Sequence, residues 1–193
     1  MKKGNFFTLI VIIAISLLTL NANAQNPDAL LDRIEQANDK IQSRSGDFCE
    51  IRQWTGNTAQ TLEGKIQYNS DSNLTMNYTD STEYFSISGN TMSLKRNGKA
   101  KKFDLNKNKP MRTLSQLLLS SFNGELRSLA TSVSSTINVE ETKDAVIATL
   151  KAKKKAVKGY SKVVLEYDSK TLQLFNMILE EFDGSITTYT IKQ

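Results

Sequence analysis

Histidine is absent from this chain of 193 residues, cysteine and tryptophan occur once each, and proline occurs twice. Without imidazole there is no Ser-His-Asp triad and no Cys-His pair, and the common zinc ligand sets are out of reach. An enzyme built from this sequence would have to work through carboxylates, lysines or hydroxyls alone. The adjacent acids Glu140-Glu141 and Glu180-Glu181 do not fill that role, because strand neighbours face opposite sides. The reading is therefore of a non-enzyme that needs neither metal nor cofactor. The lone Cys49 excludes an internal disulfide and reads as a small buried hydrophobe.

Long apolar runs are scarce too. The one present, Phe6 to Leu20, follows Lys2 and Lys3 and precedes Ala22-Asn23-Ala24. A positive start, a short apolar run and a small-x-small site describe a signal peptide, so residues 1–24 are expected to be removed on export. The run is short for a membrane span, and no stop-transfer stretch follows it. The residue after the cleavage site is Gln25 rather than the cysteine that a lipid anchor needs, so a soluble, non-lipidated protein is expected. Removing 24 of 193 residues leaves 169, the size of a single domain over 25–193. The formal charge falls by two, from +5 to +3, which supports no nucleic-acid partner.

What the chain does have is alternation. From Leu62 to Leu105, apolar residues recur at every second position: Leu62, Ile66 and Tyr68, then Leu74, Met76 and Tyr78, then Phe85 and Ile87, then Met92 and Leu94. Ser88-Gly89-Asn90 and Asn97-Gly98 supply the tight turns between them. This predicts an antiparallel meander with one greasy face. Further strands are predicted near 47–54, 137–140, 145–150, 160–167, 172–181 and 185–191, with turns at Asp168-Ser169 and Asp183-Gly184.

Two helices are signalled by their starts. Asn26-Pro27-Asp28 opens an amphipathic helix carrying Leu30, Ile34, Ala37 and Ile41, and Gly46 ends the approach to the first strand. Asn108-Lys109-Pro110 sets up a second, with the stripe Leu114, Leu117, Leu118 and Phe122 and a stop at Asn123-Gly124. A shorter helical piece follows over 125–130. Hairpin-length links throughout argue against a parallel α/β fold, whose crossovers need a helix per strand. The fold class is α+β, mainly β: a large curved antiparallel sheet with two or three helices against one face.

In order and spacing, several short motifs resemble the periplasmic outer-membrane lipoprotein carriers. They are Arg52-Gln53, Glu63-Gly64-Lys65-Ile66, Leu74-Thr75-Met76-Asn77-Tyr78, Ser88-Gly89-Asn90-Thr91-Met92, the leucine-rich helix 111–122 and the closing strands. The resemblance implies a half-open barrel whose helices form a lid over an internal hollow. It also implies a monomer in the periplasm that takes acylated lipoproteins, or a related lipid, from an inner-membrane ATP-driven releasing complex to an outer-membrane acceptor. The carriers place Arg-Pro just before the Leu-x-x-aromatic strand, where the arginine helps hold the lid shut; here that region is Ser70-Asp71-Ser72-Asn73.

On this resemblance the cavity and lid would draw on Ile34, Ile41, Ile51, Ile66, Met76, Tyr78, Phe85 and Ile87. They would also draw on Met92, Leu94, Leu114, Leu117, Leu118, Phe122, Leu174 and Ile178. Flexible thioethers suit a surface that grips lipid by area, although alternation alone does not separate a cavity wall from a dry core. The lysines fall into two groups, one over 95–109 and one around Lys153, Lys154 and Lys155. These are either solvated loops or, in the sharper reading, docking surfaces for anionic headgroups or an acidic partner. A second function of the same fold stays open: a regulatory domain that senses lipids or lipoproteins without passing them on.

Overall fold

A computed structural model describes residues 26–79, 81–157 and 159–192; the expected leader lies outside the described residues. Helix α1, Pro27–Asp39, starts where the sequence directs: Asn26 Oδ1 accepts from Asp28 N at 3.0 Å and Pro27 fills the first turn. Strand β1, Ser43–Gln53, pairs with β2, Gln60–Asn69, and the chain then runs through β3 (Asn73–Tyr78), β4 (Tyr84–Ser88), β5 (Thr91–Arg96) and β6 (Lys99–Asp104). Two helices follow, α2 (Lys109–Asn123) and α3 (Leu126–Ser132). The closing strands are β7 (Ser135–Glu141), β8 (Ala145–Ala152), β9 (Tyr160–Asp168), β10 (Leu174–Glu181) and β11 (Ile186–Lys192).

Among the described residues these strands form one antiparallel sheet in the order β6-β5-β4-β3-β2-β1-β11-β10-β9-β8-β7. Strands consecutive in sequence are neighbours except β6 and β7, and the one non-sequential pairing makes the fold: first and last strands pair, Phe48 opposite Ile191 and Glu50 opposite Tyr189. That join merges two meanders into one curved sheet with free edges at β6 and β7, a half-open barrel with three helices among the described residues. The α2–α3 segment links the two edge strands and packs on the sheet face that carries the buried side chains.

The inner face is set by period two. It carries Phe48, Glu50 and Arg52 on β1, Ile66 and Tyr68 on β2, and Leu74, Met76 and Tyr78 on β3. Gly64 on β2 is required by space: a Cβ there would lie 2.2 Å from Asn77 O and 2.7 Å from the Phe48 ring. Strand β1 begins earlier than the sequence suggests, so Gly46 lies inside it, opposite Ile66.

Candidate functional site

Helix α2 builds one wall. Asn108 Oδ1 accepts from Met111 N at 3.2 Å, Pro110 fixes the first turn, and Gly124 closes the helix at φ +78°. Its inward side chains Leu118 and Phe122 face a crevice whose sheet wall is Phe48, Ile66, Leu74, Met76, Met177, Tyr189 and Ile191. None of these side chains is charged. The crevice is so closely filled that it is nowhere wide enough for a water molecule. The open hollow that the resemblance implies is therefore closed in this structure by the chain's own side chains, and an acyl chain could enter only if the helical cover moved.

The ring and hydrogen-bond contacts of α2 with the sheet lie at its C-terminal end. Phe122 stacks on Tyr68 with ring centres 5.1 Å apart, and the Arg44 guanidinium lies 5.7 Å from the Phe122 ring centre. Tyr167, fully buried, donates its hydroxyl proton to Ser121 O at 2.9 Å. Ser121 belongs to the last helical turn, where carbonyls lack helical donors, so this bond fills a vacancy that the helix itself creates. Gly124 then meets α1, where a Cβ would sit 2.9 Å from Ile34 O. By contrast Met111 and Leu114, in the N-terminal half, are only half-buried.

Arg44 is the arginine that meets the cover. It comes from β1, whereas the carriers' Arg-Pro position is here Ser70-Asp71-Ser72-Asn73. It donates from Nη2 to Leu174 O at 2.9 Å, and its Nη1 is buried without a hydrogen-bond partner. Burial lowers its pKa below the ordinary arginine value. The other helices are tied by charge: Arg127 on α3 meets Asp32 at 2.8 Å and Asp28 at 3.4 Å, and Arg33 on α1 meets Glu141 on β7 at 2.9 Å. The Arg127 contacts are exposed and contribute little to stability, whereas Arg33 holds the largely covered Glu141 carboxylate through two hydrogen bonds.

Next to the crevice the inner face turns polar. Glu50 and Arg52, 1% and 5% exposed, form a bidentate pair: Nε to Oε1 at 2.5 Å and Nη2 to Oε2 at 2.8 Å. Tyr78 donates to Glu50 Oε2 at 2.5 Å, and Arg52 Nη2 reaches the Tyr78 oxygen at 3.2 Å. Burial alone would lower the Arg52 pKa, but the hydrogen bond and charge of Glu50 hold it above the ordinary value. Burial first, and Glu50 second, push both Tyr78 and Tyr189 well above the usual phenol range.

A separate recess of about 450 Å³ lies between α1, the end of α2 and Tyr68. Its rim carries Asp32, Glu35, Asp39 and Glu125, so it is polar and acidic and offers no wall for an acyl chain. Among the described residues no cluster of three or more potential metal ligands occurs, and no helix is long and apolar enough to cross a membrane.

No protein-family model matches the chain, and no curated protein matches it in sequence. Solved structures do. It is similar to a LolA superfamily protein of Nitrosomonas europaea, at 10% identity and TM-score 0.41, over 88% of this chain and 93% of that one. It is similar to a putative outer membrane lipoprotein-sorting protein domain of Vibrio parahaemolyticus, at 11% identity and TM-score 0.42, over 87% and 92%. The lipoprotein LppX of Mycobacterium tuberculosis matches at 12% identity and TM-score 0.41, over 86% and 95%. At these scores the likeness decides nothing about ligand or partner, which are argued from this chain's own residues.

Of the residues that the sequence singled out, Ile66, Met76, Leu118 and Phe122 come together along the crevice. Ile34, Tyr78, Ile87, Met92, Leu117 and Leu174 are buried in the surrounding core, while Phe85, Leu94 and Leu114 are half-buried. Three fall elsewhere. Ile41 lies past the end of α1, in the turn that follows, and borders the acidic recess. Ile51 is 39% exposed on the outer face, because the inward set of β1 is Phe48, Glu50 and Arg52. Ile178 also faces outward: an irregularity in the β10–β9 pairing between Leu174 and Asn176 shifts the alternation by one, so Met177 and Leu179 follow Leu174 inward.

Sequence reasoning did not single out Phe48, Leu74, Tyr189 and Ile191 as crevice residues, the first of them hidden by charged neighbours at alternate positions. Lys153, Lys154 and Lys155 are exposed in the β8–β9 connection, and the other basic group lies on and after β5 and β6, at the opposite flank of the sheet.

Proposed function

We propose that residues 25–193 act as one exported domain that captures acyl chains of lipoproteins, or of a related lipid, between α2 and the inner face of the sheet. In this reading it is a soluble periplasmic carrier that receives cargo at the inner membrane and delivers it to the outer. The observation that carries the proposal is the uncharged, methionine-bearing crevice under a helix whose ring stacking on Tyr68 and hydrogen bond from Tyr167 both lie at its C-terminal end. Swinging the N-terminal half of α2 outward about Phe122 and Gly124 would widen that crevice without breaking a strand pair. Each methylene then sheltered from water contributes about 0.8 kcal/mol, which supplies the work of opening, and thioether walls adapt to chains of varied shape.

The test is mass spectrometry of the protein purified from cells without detergent, followed by transfer of a fluorescent acylated peptide between donor and acceptor vesicles. Bound acyl species and catalysed transfer are the expected results. Binding without transfer would favour the sensing domain over the carrier. Failure to retain or bind any acylated species would overturn both.

A further inference from the structure

Positive charge is gathered on one flank of the molecule. Residues 95–112, which span the β5–β6 hairpin and the start of α2, hold eight of the 25 basic residues and one of the 20 acidic ones, Asp104; the rest of the chain holds seventeen and nineteen. Local stability does not account for this gathering. Arg96 stands directly opposite Lys99 across the hairpin, where like charges repel. The first turn of α2 carries Lys109 and Arg112 and no acid, at the helix end whose dipole favours negative charge. Asp104, 3.8 Å from Lys107, and Glu83, which accepts from Asn97 N at the hairpin turn, leave the flank strongly positive.

Strand β6 is a free edge, and its register sends cations to both sides of the sheet. Lys99 and Lys101 share the inward side with Arg96 and Leu94, whereas Lys102 and Lys95 share the outward side with Ser93 and Ala100. A ligand seated on one face would meet only some of these charges, while a broad surface approached edge-on meets them all. Lys99, Lys101, Lys102, Lys107 and Lys109 are exposed, and their ammonium groups are point charges suited to many headgroups rather than to one planar partner.

We infer that this flank is a docking surface for an anionic lipid bilayer, met edge-on by β6 and the first turn of α2. The inference goes beyond the acyl-binding function and needs no bound lipid. Where that function holds, docking brings Met111 and Leu114, in the half of α2 that swings outward, to the membrane.

The experiment is sedimentation of the intact mature protein with phosphatidylcholine vesicles, with and without phosphatidylglycerol, at low and high salt. Binding is expected only where phosphatidylglycerol is present, and it should fall as salt rises. A lysine near such a surface is worth about fivefold in affinity, so replacing Lys99, Lys101 and Lys102 together by Gln should weaken binding by about tenfold or more. Melting should not change, because all three side chains are exposed. Undiminished binding of this variant, binding indifferent to phosphatidylglycerol, or no vesicle binding at all overturns the inference. So does an equal loss from the same change at Lys153, Lys154 and Lys155, which would trace the attraction to net charge rather than to this flank. Binding of polyglutamate but of no vesicle would assign the flank to an acidic protein and overturn it as well. Capture of an acylated peptide in solution, which the three changes should leave intact, reports separately on the acyl-binding function.

Discussion

Replacing Arg52 by Met tests the reading of the buried pair most severely. Glu50 is 1% exposed, and its other donor is Tyr78. With the guanidinium gone, a carboxylate is left in an apolar interior, and breaking a buried pair in this way costs about 3–5 kcal/mol. A domain of this size loses roughly 2–4 °C of melting temperature per kcal/mol, so Arg52→Met should melt about 6–20 °C lower. The pair itself is a different matter. Removing both charges as Glu50→Leu/Arg52→Met relieves the desolvation, but it strands the Tyr78 hydroxyl at a further cost of about 1–3 kcal/mol. The triple variant with Tyr78→Phe removes that group too, and its stability should return to within about 1–2 kcal/mol of the parent. Urea unfolding followed by circular dichroism and by the single Trp54, two residues from Arg52, gives the free energies. A loss below about 1 kcal/mol for Arg52→Met, or a triple variant no more stable than the single one, would refute the picture of a desolvated pair.

Three further outcomes follow from the same geometry. Gly64→Ala places a methyl 2.2 Å from a backbone oxygen that cannot yield, and should cost at least the ~1–3 kcal/mol of an overpacked core, read as a lower urea midpoint. Tyr78, Tyr160, Tyr167 and Tyr189 are all held protonated chiefly by burial, so ultraviolet titration should find them un-ionised until the protein unfolds. Because the unfolded chain ionises its phenols near the ordinary value of about 10 and the folded chain does not, stability is full below that pH and falls as pH rises above it. Replacing Lys153, Lys154 and Lys155 together by Gln should weaken binding to anionic vesicles at low salt and leave melting unchanged; unchanged vesicle binding would remove this segment as a docking surface.

The meander from β2 to β6 was legible because apolar residues alternate along β2 and β3 and because Gly89 and Gly98 mark the turns after β4 and β5. Both major helices were legible from Asn-capped, proline-bearing starts. The crevice was legible only in part. Alternation names faces but not sides, and on β1 the inward face carries Glu50 and Arg52, so the apolar side chain of Ile51 pointed to the wrong one. On β10 a single irregular residue reversed the phase between Leu174 and Ile178.

Sequence by itself determined the local elements and the excluded chemistries, since capping, turn preference and the absence of imidazole depend only on residues close in the chain or on composition. Only the tertiary structure decided that β1 would close against β11 and that Tyr189 would stand beside Glu50. It alone decided that Phe122 would be held between Tyr68 and Arg44. Those contacts join residues up to about 140 positions apart. Their energies depend on which groups lose water together, and no local pattern encodes that.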